Sequence, residues 1–271
     1  ESDQELLIKE NAIAGERAKS LQPAEPGKVI LANGDAPKTI ELASIKQILK
    51  PKPLVEDLVW KGNIDAALDY KRAERDTDDY DVSLKTQARH GLWRHNAQAD
   101  YNREFQDDVV TTDNWSAEYA LDRFLTEKWF WQGRFEYKRD MVEELERQRT
   151  VGTGPGYQFW DNELGAFSVA GLLNRTDYEY SNGESDNFYA ASLKWDYNRY
   201  LVGKSVELFS DGEVGKPLAN AADYTLDAAV GLRYKLTDWA SLNMKAEKDL
   251  VSGAEGELDE TRYSLGFGVG W

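Results

Sequence analysis

The sequence predicts an all-β protein: a closed, antiparallel, up-and-down transmembrane β-barrel of about 12 strands that follows a small N-terminal segment. Two observations predict this fold. From residue 57 to residue 271, apolar and polar side chains alternate in runs of about 10–14 residues. Strands of soluble proteins average about 5–6 residues, whereas tilted membrane strands need about 9–11. In addition, aromatic side chains such as Trp60, Trp93 and Trp129 lie near the ends of these runs, as in interfacial girdles.

Composition narrows the classes of function. The chain has 271 residues, a net charge of −16 and no cysteine. A general basic surface for nucleic acid is therefore excluded, as are disulfides, thiolate metal sites and cysteine nucleophiles. No run of 18 apolar residues predicts a membrane helix. The low mean hydropathy of −0.66 is compatible with a membrane barrel, because its strands alternate lipid-facing and lumen-facing residues.

Residues 1–56 differ from the rest of the chain and are expected to form a separate segment, either periplasmic or plugging the lumen. The stretch "QELLIKENAIAGERAKSL" is compatible with a short helix that Pro23 ends. The stretch "GKVILANGDAPKTIELASIKQI" has the pattern of a β-hairpin, strand, turn and strand. The prolines of "LKPKPLVED" then mark a linker to the barrel, which is expected to occupy residues 57–271.

Each barrel run has one apolar face, expected to contact lipid, and one polar face, expected to line the lumen. The phase of this alternation is unclear over residues 147–159 and 163–178. In chain order, the other runs are expected to present to lipid Leu58, Trp60, Ile64, Ala66, Leu68 and Tyr70; Tyr80, Val82, Leu84, Thr86 and Ala88; Ala97, Ala99, Tyr101 and Phe105; Trp115, Ala117, Tyr119 and Leu121; Trp129, Trp131, Phe135 and Tyr137; Tyr189, Ala191, Leu193, Trp195 and Tyr197; Val206 and Leu208; Tyr224, Leu226, Ala228, Val230, Leu232 and Tyr234; and Leu242, Met244 and Ala246.

The polar faces carry both signs of charge. The lumen-lining candidates are Lys61, Asp65, Asp69, Lys85, Glu118, Asp122, Arg134, Glu136, Lys138, Lys194, Asp227, Arg233, Lys245, Glu247 and Arg262. Opposite charges facing each other across the lumen could sort small ions, or they could pair and plug the pore. Strand number leaves both alternatives open, because about 12 strands lie between the 8 that enclose a filled lumen and the 16–18 of open porins.

The connections between strands predict an asymmetric barrel. Short ones such as "HGLWRHN" are expected at one rim, and long acidic ones such as "QDDVVTTDN" and "YEYSNGESDN" at the other. Hard cations prefer carboxylate oxygens, so the acidic connections hold a weak candidate site for Ca²⁺ or Mg²⁺. The alternative is a solvated charged rim, and no other cofactor is expected. The candidate ligands are Asp76, Asp78, Asp79, Asp107 and Asp108.

The final run, "TRYSLGFGVGW" at residues 261–271, alternates strictly and ends on an aromatic residue. It resembles the signal that the barrel assembly machinery reads during outer-membrane biogenesis. We expect this strand to close the barrel against the first one, which leaves no free sheet edge. The residues expected to face lipid and act as the assembly signal are Tyr263, Leu265, Phe267, Val269 and Trp271.

The chain is not expected to be an enzyme. Its two histidines, His90 and His95, flank "GLWR" in a short connection and lack enough neighbouring ligands for a closed metal site. Histidine-dependent barrel hydrolases and proteases place this residue at the outer rim, whereas these histidines are expected at the opposite rim. The glycine-rich "GTGPG" at residues 152–156 lacks the Lys-Ser/Thr of a phosphate loop and indicates crowded inner strand faces instead.

The stretches "WKGNIDAALDYKRAERDTDDYDVSLKTQARHGLWRHNAQADYNREF" and "RTVGTGPGYQFWDN" resemble the salt-induced outer-membrane proteins, a Gram-negative family of unknown function. The resemblance covers residues 57–271 and implies an outer-membrane barrel, with outer-membrane lipids and lipopolysaccharide as its surroundings. It supplies no catalytic residues. The function expected is a narrow, porin-like passive channel for small ions or solutes, or an envelope stress-related protein. The alternative is a non-channel scaffold or adhesin with acidic surface loops.

Overall fold

The computed structural model describes residues 6–9, 15–18, 20–23, 28–32, 38–45, 47–49, 57–71, 77–107, 109–142, 145–218, 223–252 and 258–271. Twelve long strands form one closed barrel in which each strand pairs antiparallel with the next and the last pairs with the first. The closed 12-stranded barrel predicted from the sequence is confirmed. Its strands are β7 Val59–Lys71, β8 Thr77–His90, β9 Trp93–Gln106, β10 Val109–Phe124, β11 Trp129–Asp140, β12 Leu145–Asn162, β13 Gly165–Tyr180, β14 Ser185–Tyr200, β15 Val206–Pro217, β16 Tyr224–Lys235, β17 Ala240–Ser252 and β18 Leu258–Gly270.

The apolar side chains of the barrel point outward and the polar ones point into the lumen. Along β11, Trp129, Trp131 and Phe135 are exposed, whereas Gln132 and Arg134, which alternate with them, are buried. A soluble barrel would bury its apolar face instead. The outward orientation therefore indicates a barrel surrounded by lipid, with all strand edges paired around the ring.

The phase that alternation left unclear lies in β12 and β13. In the first part of β12, Val151 is exposed and Thr150 is buried, so even-numbered residues point inward. The pairing with β13 then shifts between Gln158 and Trp160, which marks a β-bulge. A bulge changes the side-chain phase, and the inward glycines of "GTGPG" provide no polar signal, so simple alternation fails here.

The connections do not show the predicted asymmetry in length. Strand β9 runs to Gln106 and β10 begins at Val109, and β13 runs to Tyr180 and β14 begins at Ser185. Most of the supposed long loops "QDDVVTTDN" and "YEYSNGESDN" is therefore strand, and the prediction was wrong on this point. Antiparallel pairing continues into charged residues because their backbone still gains ladder hydrogen bonds. We call the end of the barrel that holds Trp271 the Trp271 rim.

The described part of residues 1–56 forms two small sheets. Their strands are β1 Leu6–Lys9, β2 Gly15–Ala18, β3 Ser20–Pro23, β4 Lys28–Ala32, β5 Lys38–Glu41 and β6 Gln47–Leu49, with a single 3₁₀ turn at Leu42–Ser44. The sheet orders are β2-β1-β6 and β3-β4-β5. Strands β1 and β2 and the start of β3 occupy the stretch for which a helix was expected, so that expectation was wrong. Among the described residues no helix is long and apolar enough to span a bilayer.

Candidate functional site

The candidate site is the lumen, where charged side chains from many strands meet. The lumen-lining candidates from the sequence occupy inward strand positions. The side chain of Asp69 lies outside the described part, although its backbone pairs with Asp79. Inward charged residues that were not among the lumen-lining candidates include Arg89, Arg94, Asp196, Asp211 and Glu213. Arg89 and Asp196 stand an even number of residues from Lys85 and Lys194 on the same strands. The other three alternate with outward residues of their own strands. The alternation of apolar and polar residues therefore predicts that all five point inward.

Near the Trp271 rim, a buried carboxylate organises one side of the lumen. Asp122 is 0% exposed and accepts hydrogen bonds from Arg94 Nε at 2.7 Å, Asn96 Nδ2 at 3.1 Å and Gln132 Nε2 at 2.7 Å. Arg94 also donates to Gln158. A buried charge needs this degree of pairing, because an unpaired carboxylate in such a place costs several kcal/mol.

Two phenylalanines fill the side of the lumen beside this carboxylate. Phe124 and Phe130 are each 1% exposed and lie 5.4 Å apart between ring centroids. The guanidinium of Arg94 lies over the Phe130 ring at 4.8 Å, and Leu172 packs on the same cluster. Gly156 leaves the space that Phe130 fills, since a side chain there would overlap the ring. The part of the lumen enclosed by β9–β13 is therefore packed like a protein core.

The middle of the lumen is crossed by a network around Arg134. Its guanidinium donates to Glu213 on β15, with Nη2–Oε1 at 2.9 Å, and to Glu118 on β10 at 3.3 Å. Glu118 also pairs with Lys194 of β14. Only 4% of the Arg134 side chain is exposed. Its two carboxylate partners and the Lys194–Glu118 pair connect β10, β11, β14 and β15 through the lumen.

One ion pair spans the whole lumen. Lys85 Nζ on β8 lies 2.8 Å from Asp196 on β14 and 3.3 Å from Asp211 on β15. Strand β14 is six strands away from β8 in either direction around the ring, so the pair joins opposite walls. Space remains around the pair, since 42% of the Lys85 side chain and 49% of the Asp196 side chain is exposed. The side of the lumen away from the phenylalanines is therefore less tightly packed than the phenylalanine cluster.

Eight further charged candidates also pair with opposite charges. Arg233 binds Asp65 at 3.1 Å and Glu207 at 2.9 Å. Further from the Trp271 rim, the pairs are Lys138 with Glu136 at 3.1 Å and Asp227 at 3.9 Å, Lys245 with Glu247 at 2.8 Å, and Arg262 with Asp249 at 3.1 Å. Pairs of opposite charges therefore line the lumen along its length.

The acidic connections contain no assembled cation site in the part of the chain that the structure describes. No group of three or more His, Asp or Glu side chains is arranged there to hold a metal ion. Asp79 accepts a hydrogen bond from Asn102 Nδ2 at 3.0 Å. Of the other predicted ligands, Asp78 and Asp107 are described, and Asp76 and Asp108 lie outside the described residues.

The residues expected to form the assembly signal lie on the outward face of β18 and beyond it. Tyr263, Leu265 and Phe267 are 79%, 65% and 68% exposed. Trp271 packs edge-on against Trp60 at 5.7 Å and exchanges backbone hydrogen bonds with Gly62 on β7. This contact closes the ring at the Trp271 rim.

Aromatic side chains also form an outward belt near this rim. Trp129 meets Tyr157 with 5.0 Å between ring centroids, and Phe159 stacks on Phe167 at 4.8 Å. Tyr197 completes the group next to Phe167 at 5.9 Å. Belts of this kind mark the depth at which a barrel crosses from the apolar part of a bilayer to the headgroups.

Comparison with solved structures finds a porin, an autotransporter translocator domain and an outer-membrane protein. A NanC porin has a TM-score of 0.47 at 8% identity, covering 78% of this chain and 98% of that one. The translocator domain of the autotransporter NalP from Neisseria meningitidis has 0.46 at 13%, covering 79% and 87%. OmpT of Vibrio cholerae has 0.37 at 9%, covering 79% and 96%. At these scores nothing about the function of this chain follows from them.

No curated protein matches the chain. A family model described as "Protein of unknown function, DUF481" matches residues 64–271, which is the barrel from within β7 to Trp271. This closed barrel, with its apolar outside and its lumen of paired charges, therefore belongs to the DUF481 family.

Proposed function

We propose that the protein is a narrow passive channel for small ions in the outer membrane of a Gram-negative bacterium. The observation that carries the proposal is the Lys85–Asp196 pair, which joins opposite walls while about half of each side chain is exposed to water. An ion pair of this kind reduces the open cross-section of a pore but leaves room for water beside the two side chains. The resemblance to the salt-induced outer-membrane proteins supports the location.

The charges where Lys85 crosses the lumen favour small ions over larger solutes. Lys85 faces two carboxylates, Asp196 and Asp211, so both signs of charge border the water there. The neighbouring side of the lumen is filled by the Asp122 and Phe130 cluster, which leaves no room for a bulky solute. We therefore propose a low conductance without strong selectivity in the unmodified protein.

Planar-bilayer recording tests the proposal. The purified full chain is expected to give small, steady conductance steps. Substituting Lys85→Gln leaves Asp196 and Asp211 without their cation, so we expect a shift of the reversal potential toward cation selectivity. The matched control is Lys204→Gln, which removes the same charge at the rim, where Lys204 pairs with Glu163 at 2.9 Å. An absence of steps would contradict the channel, and equal shifts in both variants would contradict the role of Lys85 inside it.

A second candidate is a non-conducting scaffold, which two contacts favour. The Phe124 and Phe130 cluster already fills one side of the lumen. At the Trp271 rim, Glu163 N donates to Ile45 O at 3.2 Å, and Ile45 is 0% exposed, so the N-terminal segment touches the barrel end. Recording with and without residues 1–56 separates the alternatives: conductance only after removal makes that segment a plug, and none in either form supports a scaffold.

A further inference from the structure

The only two histidines of the chain lie together on the outside of the barrel, and neither belongs to the lumen. His90 is the last residue of β8, and His95 is the third residue of β9. Both occupy outward positions next to the Gly91–Leu92 turn, at the depth where the Arg123 guanidinium lies over the Trp93 ring at 5.2 Å. This is the membrane interface near the Trp271 rim, where water and dissolved ions have access.

The two imidazoles point their Nε2 atoms at each other. The distance between these atoms is 3.3 Å, and the rings lie edge to edge, with centroids 5.4 Å apart and planes 17° apart. A distance of 3.3 Å is long for a hydrogen bond between two nitrogen atoms. Replacing the shared proton by a metal ion would therefore cost little stabilisation. Two metal–imidazole bonds of 2.0–2.1 Å at a tetrahedral angle would separate the nitrogens by about 3.3 Å.

A third side chain positions one of the ligands. His95 Nδ1 lies 2.7 Å from the hydroxyl oxygen of Tyr119. When Nδ1 carries the hydrogen and donates it to this oxygen, the lone pair of His95 is on Nε2, which faces His90. Metal-binding histidines in proteins have such a partner on the second nitrogen, and it fixes both tautomer and ring orientation.

We propose that His90 and His95 form a two-nitrogen chelate for a divalent transition-metal ion, with Tyr119 as a positioning residue. Within the described residues no third His, Asp or Glu joins them in a metal-binding group, so the remaining coordination positions are open to water. Imidazole ligands select late first-row ions, and the expected order of affinity is Cu²⁺, then Ni²⁺, then Zn²⁺. This site is independent of the channel proposed above.

Copper titration of the full-length, tag-free chain in detergent, read by electron paramagnetic resonance, tests the site. Background is low because the sequence contains no other histidine and no cysteine, and excess Mg²⁺ occupies the carboxylates. We expect one Cu²⁺ per chain with hyperfine lines from two nitrogens. His90→Gln and His95→Gln should each lose one nitrogen signal and weaken binding at least 10-fold.

Tyr119→Phe keeps both ligands but removes the oxygen that orients His95, so we expect roughly 10-fold weaker binding. The matched control is Tyr101→Phe, an outward tyrosine of β9, which should bind as the unmodified protein does. Heat-dependent gel mobility confirms that each variant is a folded barrel. The proposal is overturned if the unmodified chain binds no stoichiometric copper below 100 µM, or if either histidine variant keeps both nitrogen signals.

Discussion

Asp122 is the residue on which the packed side of the lumen depends most. It is 0% exposed and takes three hydrogen bonds, one of them from the buried Arg94. Asp122→Asn would keep the shape but leave the guanidinium without its counter-charge in a dry environment. We expect a loss of about 3–5 kcal/mol in the free energy of unfolding, measured by urea titration of the barrel in lipid vesicles.

The control for this substitution is another lumen carboxylate. The side chain of Asp227 is 68% exposed and lies 3.9 Å from Lys138, so Asp227→Asn should change the free energy of unfolding by less than about 1 kcal/mol. Equal losses in the two variants would show that lumen carboxylates contribute through net charge rather than through local pairing.

The sequence predicts the direction of a side chain in the barrel but not its contact partner. Alternation predicts that Lys85 faces the lumen, because neighbours along one strand determine that phase. It does not predict that Lys85 meets Asp196, since 111 residues separate them and the contact depends on the cross-section of the closed barrel. The buried Phe124 was not named from the sequence, although it stands two residues after Asp122 and shares its inward phase.

At the scale of elements, the junction between β7 and β18 is the least paired of the barrel. It has five register pairs, from Asn63 with Gly270 to Ala67 with Gly266, whereas β15 and β16 share ten. The Trp271–Gly62 backbone bonds extend this short ladder. A Cβ atom at Gly62 would lie 2.5 Å from the Trp271 ring and 2.9 Å from the Lys85 carbonyl oxygen, so only glycine fits.

Gly62→Val is therefore expected to displace Trp271 and to lower the fraction of heat-resistant, compact barrel on unheated gels. Because the affected junction is short, we expect a loss of at least about 2 kcal/mol in the free energy of unfolding. Gly133→Val is the matched control, since no atom lies within 4 Å of a Cβ at that outward position of β11. A similar decrease in both variants would attribute the effect to strand glycines in general.

Elements also show where local pattern is insufficient. A helix was expected near the start of the chain, yet β1 pairs with β6, with Leu7 opposite Leu49. Such pairing joins residues far apart in sequence, so tertiary context overrides local propensity. In contrast, the alternation in β14 and β16 extends over a whole strand, and there the predicted outward faces agree with the exposed Tyr189 and Val230.

At the scale of the molecule, the barrel has an apolar outer wall, an aromatic belt at the Trp271 rim and a lumen of paired charges. The wall and the belt follow from the sequence, because they depend on residue type and period alone. The width of the lumen does not follow from the sequence, because the same inward charges could stand apart or form ion pairs. In the structure the charges around Arg134 pair, since Arg134 contacts both Glu118 and Glu213.

The last prediction concerns insertion of the whole barrel. Trp271 lies at the end of the alternating outward row of β18 and also contacts Trp60, so we expect it to act in recognition by the assembly machinery and in closure. Trp271→Asp should leave synthesis unchanged but reduce the amount recovered in the outer-membrane fraction several-fold. Trp239→Asp places the same charge at the same rim, where Trp239 is 61% exposed in a turn. If the two variants insert equally well, the belt as a whole, rather than the alternating row of β18, directs insertion.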